Sequence, residues 1–305
     1  MASSRGDRRV RMRAAVLVLV AGALFGASNP LAKLLLDEDF PAVAMAGTFY
    51  LASGVELLVL RWILRAARRR SEPGLGRTDF KWLAGAILAG GIAAPVAQLY
   101  GLKVAPAHIA SLIVSVEVVF TILIAVLLFG ERPTAREYGA MGVVVLGALA
   151  VGFGTRGSGG GGEAVAGALL IVLACLLWGF DNNFSERISA KDPIQIAGVK
   201  GLVAGGANLV LAAAFFTLPR LDPALLAFAS IVGLLSYGTS IALFVYGLRH
   251  LGPSRTASLF ATAPVWGVVL SWTALGEKPG PFALAGGVIL LGGIWALLAL
   301  SSGRR

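Results

Sequence analysis

From one end to the other, the chain alternates between long apolar runs and short polar breaks. Ten runs stand out, at residues 14–35, 42–64, 80–102, 107–129, 136–154, 164–187, 194–217, 224–248, 254–275 and 281–300. Each is close to the length an α-helix needs to cross a bilayer. Turn residues separate them: Asp37 to Pro41, Arg132-Pro133, the glycine run Gly157 to Gly162, Asp192-Pro193, and Pro219 to Pro223. No break is long enough to hold a soluble domain. Composition sharpens the picture, with 57% hydrophobic and only 14% charged residues, against about 25% charged in ordinary soluble domains. Mean hydropathy is +0.82. That much apolar surface requires lipid as solvent, so the expected fold class is all-α integral membrane with ten transmembrane helices.

The pattern also repeats. Tyr-Gly-Leu begins at Tyr100 and again at Tyr246, 146 residues later. Ala-Ser-Leu begins at Ala110 and Ala257, 147 apart, and Gly-Glu at Gly130 and Gly276, again 146 apart. A spacing near half the chain indicates duplication. The expected division is a first five-helix repeat at 1–156, a glycine-rich connection at 157–163, and a second repeat at 164–305. Five is an odd number, so the second repeat must enter the membrane from the opposite side. Inverted-topology repeats around a midplane site mark secondary transporters.

Charge changes the picture only by setting orientation. The net charge of +10 is explained by loop bias, with no need for a nucleic-acid partner. With the N-terminus cytoplasmic, 19 of the 26 Lys and Arg fall on the inner side and 5 on the outer side, while Arg61 and Lys200 lie within spans. The positive-inside rule therefore puts both termini in the cytoplasm of a multi-pass inner-membrane protein, with the lipid bilayer as its partner. Arg5 to Arg13 flank an apolar run of signal-anchor length without a small-x-small cleavage site, so no cleavable leader is expected. In a Cys175→Ser background, a cysteine at Ser158 should react with an impermeant thiol reagent on intact cells and one at Ser4 should not. The reverse labelling would overturn the orientation and the inverted-repeat argument with it.

Three features carry a resemblance. They are the ten spans, the paired Gly-Glu-x-Pro endings with helices starting near Ala-Ser-Leu, and the echo between Leu24-Phe25-Gly26-Ala27-Ser28-Asn29-Pro30 and Leu177-Trp178-Gly179-Phe180-Asp181-Asn182-Asn183. With these the chain resembles the drug/metabolite transporter superfamily, specifically its EamA-type exporters. Within that superfamily it is similar to YddG-type exporters of aromatic amino acids. The resemblance implies a basket in which helices one, three, four, six, eight and nine surround a central cavity, with five and ten at the periphery. It puts Ser28, Asn29, Gln98, Tyr100, Glu117, Trp178, Asn182, Ser236, Tyr237, Ser240, Phe260 and Trp266 in or near a substrate site. It implies export of small organic solutes, above all aromatic or hydrophobic amino acids, by alternating access and without a cofactor. A multidrug or other metabolite exporter is the alternative within the fold. One departure matters: Pro264 stands in helix nine at a position often proline in the family, but its register mate in the first half is Glu117.

Polar residues inside spans carry the candidate chemistry. A charge near the midplane is costly unless paired, neutral or facing water, so Glu117 either lines the cavity or bonds to a neighbouring helix. Glu56 lies equally deep in the less central helix two. Asp181 and Lys200 are placed to form a structural ion pair, and Lys33 to snorkel to the outer interface. Asn29 and Asn182 either bind substrate or tie helices together. Pro30 is expected to bend helix one. Trp62, Trp82, Trp272 and Trp295 fit interface anchors, whereas Trp178 and Trp266 lie deeper. Glu131 and Glu277 fit helix-end fasteners, and Cys175 a packing thiol.

Enzyme signatures are absent from the sequence. His108 and His250 sit at opposite membrane faces without metal-ligand spacing, and the glycine run lacks the Lys-Ser/Thr of a phosphate loop. A membrane-embedded enzyme would need paired catalytic groups at one depth. A non-transporting scaffold would not need an inverted duplication around polar midplane residues.

Overall fold

The computed structural model describes residues 2–67, 73–157, 161–215 and 222–302, with side chains omitted at a few of these. Arg68 to Arg70, Ser158 to Gly160 of the connecting stretch, Pro219, Arg220, Arg304 and Arg305 lie outside the described residues, as does the test position Ser158. The described chain is all helical. Ten helices are long and apolar enough to cross a membrane. They are α1 Arg9–Asp37, α2 Ala42–Ala66, α3 Arg77–Val104, α4 Ala107–Phe129, α5 Ala135–Phe153, α6 Gly162–Glu186, α7 Pro193–Phe215, α8 Pro223–Leu251, α9 Arg255–Leu275 and α10 Pro281–Leu300. The ten apolar runs match them one for one. Helix ends drift by a few residues, most at α1, where helical backbone continues through the arginine-rich start.

Cross-contacts pair the first five helices with the last five. Helix α2 packs along α7 and α5 along α10, while α1 lies on α8 as α6 lies on α3. Helix α4 touches α6 as α9 touches α1. Lipid offers no hydrophobic drive between helices, so close backbone approach through small residues supplies the packing. The α2–α7 seam shows this: a methyl built on Gly54 or Gly205 would run into the backbone of Leu202 or Leu51.

Five helices lose regular α-geometry where the cavity will form. Helix α1 is interrupted at Ala27, because the ring of Pro30 clashes with the carbonyl four residues earlier, at Gly26. Helix α9 breaks after Phe260, four residues before Pro264, for the same reason. Helix α4 breaks at the matching place, in a 3₁₀ turn at Val114–Val116, without a proline. Its freed carbonyls at Ile113 and Val114 face the Cys175 thiol at 3.5 Å each, which is the packing role expected of that residue. Helices α3 and α8 each contain a π-helical segment, Ile87–Ala93 and Gly233–Thr239. These lie 146 residues apart, the interval that separates the two Tyr-Gly-Leu sequences. Such segments widen the ladder and release carbonyls for side chains. Gly90 O accepts from Tyr50 Oη at 2.9 Å and Trp178 Nε1 at 3.1 Å, and Gly91 O from Asn208 Nδ2 at 3.1 Å.

Candidate functional site

A cavity of about 390 Å³ runs down the middle of the bundle. Its walls come from α1, α3, α4, α6, α8 and α9, the six helices expected to surround it. Helix α10 adds Ile294 and Leu298, so it is less peripheral than the resemblance implied.

The floor is polar and buried. Gln98 Nε2 donates to Asn29 Oδ1 at 2.6 Å, Asn29 Nδ2 to Ser111 Oγ at 3.4 Å, and Ser111 Oγ to Ala107 O at 2.8 Å. Ser28, Asn29, Gln98 and Ser111 are all buried. Their donors and acceptors largely satisfy one another, as buried polar groups must. Halfway along, Glu117 Oε1 accepts from Asn182 Nδ2 at 2.7 Å, and the same amide donates to Thr121 Oγ1 at 3.0 Å. Both readings of Glu117 thus hold at once: it lines the cavity and it bonds to a neighbouring helix. Aromatic rings form the opposite wall. Phe25 lies 5.4 Å from Phe260 and 6.1 Å from Tyr237, and Phe244 lies 4.9 Å from Phe260. Trp178 completes this wall with its N–H already held by Gly90.

Exposure grows from floor to mouth. Asn182 is exposed, and Ala257 and Leu298 at the far end belong to the terminal turns of α9 and α10 nearest the face where α1 begins. The opposite face is shut. Glu277, just beyond α9, accepts from the backbone N–H of Ala107 at 2.9 Å and of His108 at 3.0 Å, and lies 2.9 Å from His108 Nδ1. It thereby caps the first turn of α4, where amides have no helical partner. Burial alone would push the Glu277 carboxyl up, but the His108 ring and the two amides outweigh it and hold it below its ordinary range. Lys33 reaches the outer end of α3, where its Nζ donates to the carbonyls of Leu102, Lys103 and Ala105 at 2.8, 3.0 and 3.5 Å, which have no helical partner.

Eight of the twelve residues expected at the site line this cavity: Ser28, Asn29, Gln98, Glu117, Trp178, Asn182, Tyr237 and Phe260. Four do not. Tyr100 lies beyond the floor near the end of α3 and is 37% exposed. Trp266 is 45% exposed on the outer side of α9, because the break after Phe260 rotates the rest of that helix. Ser236 is fully buried, and Ser240 donates to Ala21 O at 2.9 Å, tying α8 to α1. Phe25, Ser111, Ser115, Thr121 and Phe244 were missed. Phe25 and Ser111 sit inside the repeated motifs and were findable there; Phe244 carried no signal.

Other intramembrane groups are structural. Asp181 Oδ2 meets Lys200 Nζ at 2.7 Å, the expected ion pair. Glu56 accepts from Thr239 Oγ1 at 2.7 Å against the α8 π-segment, away from the cavity. Trp82, near the start of α3, lies beside Phe129 and Phe184 at the ends of α4 and α6, with Lys81 Nζ 5.0 Å from its ring. No group of His, Cys, Asp and Glu able to hold a metal occurs among the described residues.

A ten-helix membrane basket with one polar-floored, aromatic-walled cavity, open towards one face and fastened at the other, defines a solute transporter and not an enzyme. The comparisons agree. The chain belongs to the EamA-like transporter family, which it matches twice, over residues 12–153 and 165–299. It is 30% identical over 298 residues to an uncharacterized transporter of Methanothermobacter thermautotrophicus, covering 92% of this chain and 85% of that one. It is 27% identical to a probable terminal-alkyne amino-acid exporter of Streptantibioticus cattleyicolor, over 66% of this chain and 67% of that protein. It is also 28% identical to the uncharacterized inner membrane transporter YedA of Escherichia coli, over 79% and 76% respectively.

Proposed function

We propose that the protein exports amino acids with aromatic or bulky apolar side chains across the inner membrane. The carrying observation is the pairing, in one cavity, of a carboxylate and an amide-hydroxyl floor with a wall of aromatic rings. Glu117 and Asn182 receive the ammonium, the second amide hydrogen of Asn29 and the Ser115 hydroxyl receive the carboxylate, and Phe25, Tyr237, Phe244, Phe260 and Trp178 hold the side chain. The volume lies within the ~300–1,000 Å³ usual for small-molecule sites. No Lys, Arg or His lines the cavity, which favours neutral zwitterions over phosphorylated solutes. The amino-acid export in the name of the Streptantibioticus relative supports the substrate class, and the name of YedA the membrane.

Transport proceeds by rocking of the halves 1–156 and 164–305, with both termini cytoplasmic and the present state open inward. The outer face is held shut by Glu277 on α4. Its repeat mate Glu131, 146 residues earlier, is exposed on the open face. In the outward-open state Glu131 caps the first turn of α9, at the amides of Ser254 and Arg255, while Glu277 lets go. The two states exchange one fastening for its mirror image.

Purified protein in liposomes should take up labelled phenylalanine faster than empty liposomes do, and unlabelled tryptophan or tyrosine should slow that flux. Movement of cationic drugs alone would replace this substrate with a multidrug one, which the absence of a cation in the cavity also fits. No facilitated movement of any solute would favour a scaffold.

A further inference from the structure

We infer that the protein carries a second site, a basic pocket that seats the phosphate headgroup of an anionic phospholipid between α1, α2, α7 and α8. This cavity, of about 720 Å³, lies at the end of the bundle where α1 begins, and Arg13, Arg61, Arg65 and Arg249 line it. Among the described residues Asp192 is its one carboxylate, and it is already committed. Its Oδ2 accepts from Arg61 Nε at 2.8 Å and its Oδ1 from the amides of Ile194 and Gln195 at 3.0 and 3.2 Å. Arg61 Nη2 also donates to Gln195 Oε1 at 2.7 Å. These bonds hold one guanidinium rigidly at the wall, and Arg13 and Arg65 line the pocket beside it. Such a pocket attracts an anion, and arginine forks match phosphate oxygens in pairs.

The neighbouring surface says which phosphate. Below the arginines the wall turns aliphatic, with Leu17, Leu60 and Leu243. Val16 on α1 and Trp62 on α2, close by in sequence, are exposed as lipid-facing residues. A headgroup phosphate at the arginines therefore leaves an acyl chain lying along apolar side chains into the bilayer. The pocket offers a soluble nucleotide no base platform: Tyr246 stacks on His250 at 4.0 Å. Basic pockets between membrane helices on the cytoplasmic side suit acidic headgroups, and the Lys and Arg distribution assigns this end to that side. The inference does not depend on what the central cavity carries.

The test is lipid retention by native mass spectrometry, on full-length protein purified in detergent and supplied with phosphatidylglycerol or phosphatidylcholine. Phosphatidylglycerol should be retained preferentially. The Arg13→Gln/Arg65→Gln double variant should lose roughly fivefold in retention for each arginine. Leu243→Trp, which fills the aliphatic wall and leaves the arginines, should also lower retention and keeps the test decisive if the double variant does not fold. Equal retention of both lipids, or unchanged retention by the variants, overturns the inference. Displacement of phosphatidylglycerol by millimolar inorganic phosphate, with the same thermal stabilisation from phosphate alone, would make the occupant a soluble anion and overturn the lipid assignment.

Discussion

Glu117→Gln is expected to lower amino-acid flux in liposomes by roughly ten- to a hundredfold while leaving expression and melting temperature nearly unchanged. Among the described residues Glu117 is the one carboxylate lining the central cavity, so it supplies the charge that pairs with a substrate ammonium. A hydrogen bond to a charged group contributes about 1.5–3 kcal/mol, and about 1.4 kcal/mol is a tenfold change. Gln keeps the shape and an oxygen for Asn182, so the α4–α6 contact survives. The same variant should also flatten any dependence of transport on pH between 5.5 and 8. Glu56→Gln is the control. Glu56 lies as deep but against the α8 π-segment and not in the cavity, so its loss should alter transport less. Wild-type flux across that pH range in Glu117→Gln would make Glu117 a helix tie and nothing more.

Glu277→Ala is expected to open the outer face. A cysteine at Ser111, on the cavity floor, should react slowly with an impermeant reagent added from that side in the parent protein with Cys175→Ser. In the Glu277→Ala variant it should react roughly ten- to a hundredfold faster. Three contacts converge on the carboxylate, and losing charge-assisted bonds of this kind costs about 1.5–3 kcal/mol. The pH sign follows from the lowered Glu277 carboxyl. Its contribution to closure is present above the ordinary carboxylate range and is lost only as pH falls through the depressed value. The Glu277 carboxylate therefore stays ionised from pH 5.5 to 8. Glu131→Ala should leave outer labelling slow yet reduce flux, because it removes the matching fastening of the other state. Unchanged labelling in Glu277→Ala would show that helix packing alone closes the outer face.

Much of this architecture was legible before any coordinates. Helix number and approximate ends follow from run length, because lipid forces every spanning backbone to satisfy itself as a helix. The Asp181–Lys200 pair was legible for a similar reason: two opposite charges at one depth in adjacent helices have few other partners. The helix-end role of Glu277 followed from its place after a glycine at a span terminus. Lys33 shows the limit. Its place near the outer interface was legible, but its partners, the open carbonyls at the end of α3, lie 69 to 72 residues away in sequence, and only the packed bundle brings them within reach.

The cavity divides in the same way. Residues inside the repeated motifs, such as Ser28, Asn29, Trp178 and Asn182, were placed at the site from sequence. Ser236, Ser240 and Trp266 were placed there by the resemblance, which says which helices surround the cavity but not which way each residue points. In a buried helix that is apolar nearly all round, the polar pattern carries no direction. Direction came from the breaks: Pro30 and Pro264 interrupt their helices, and the 3₁₀ and π segments turn α3, α4 and α8. By itself the sequence determined the membrane class, the ten helices, the duplication and the family, because each is written in composition or in local periodicity. Only the tertiary structure decided which faces meet, which end is shut and which arginines share a pocket, because those depend on rotations about helix axes that only packing sets.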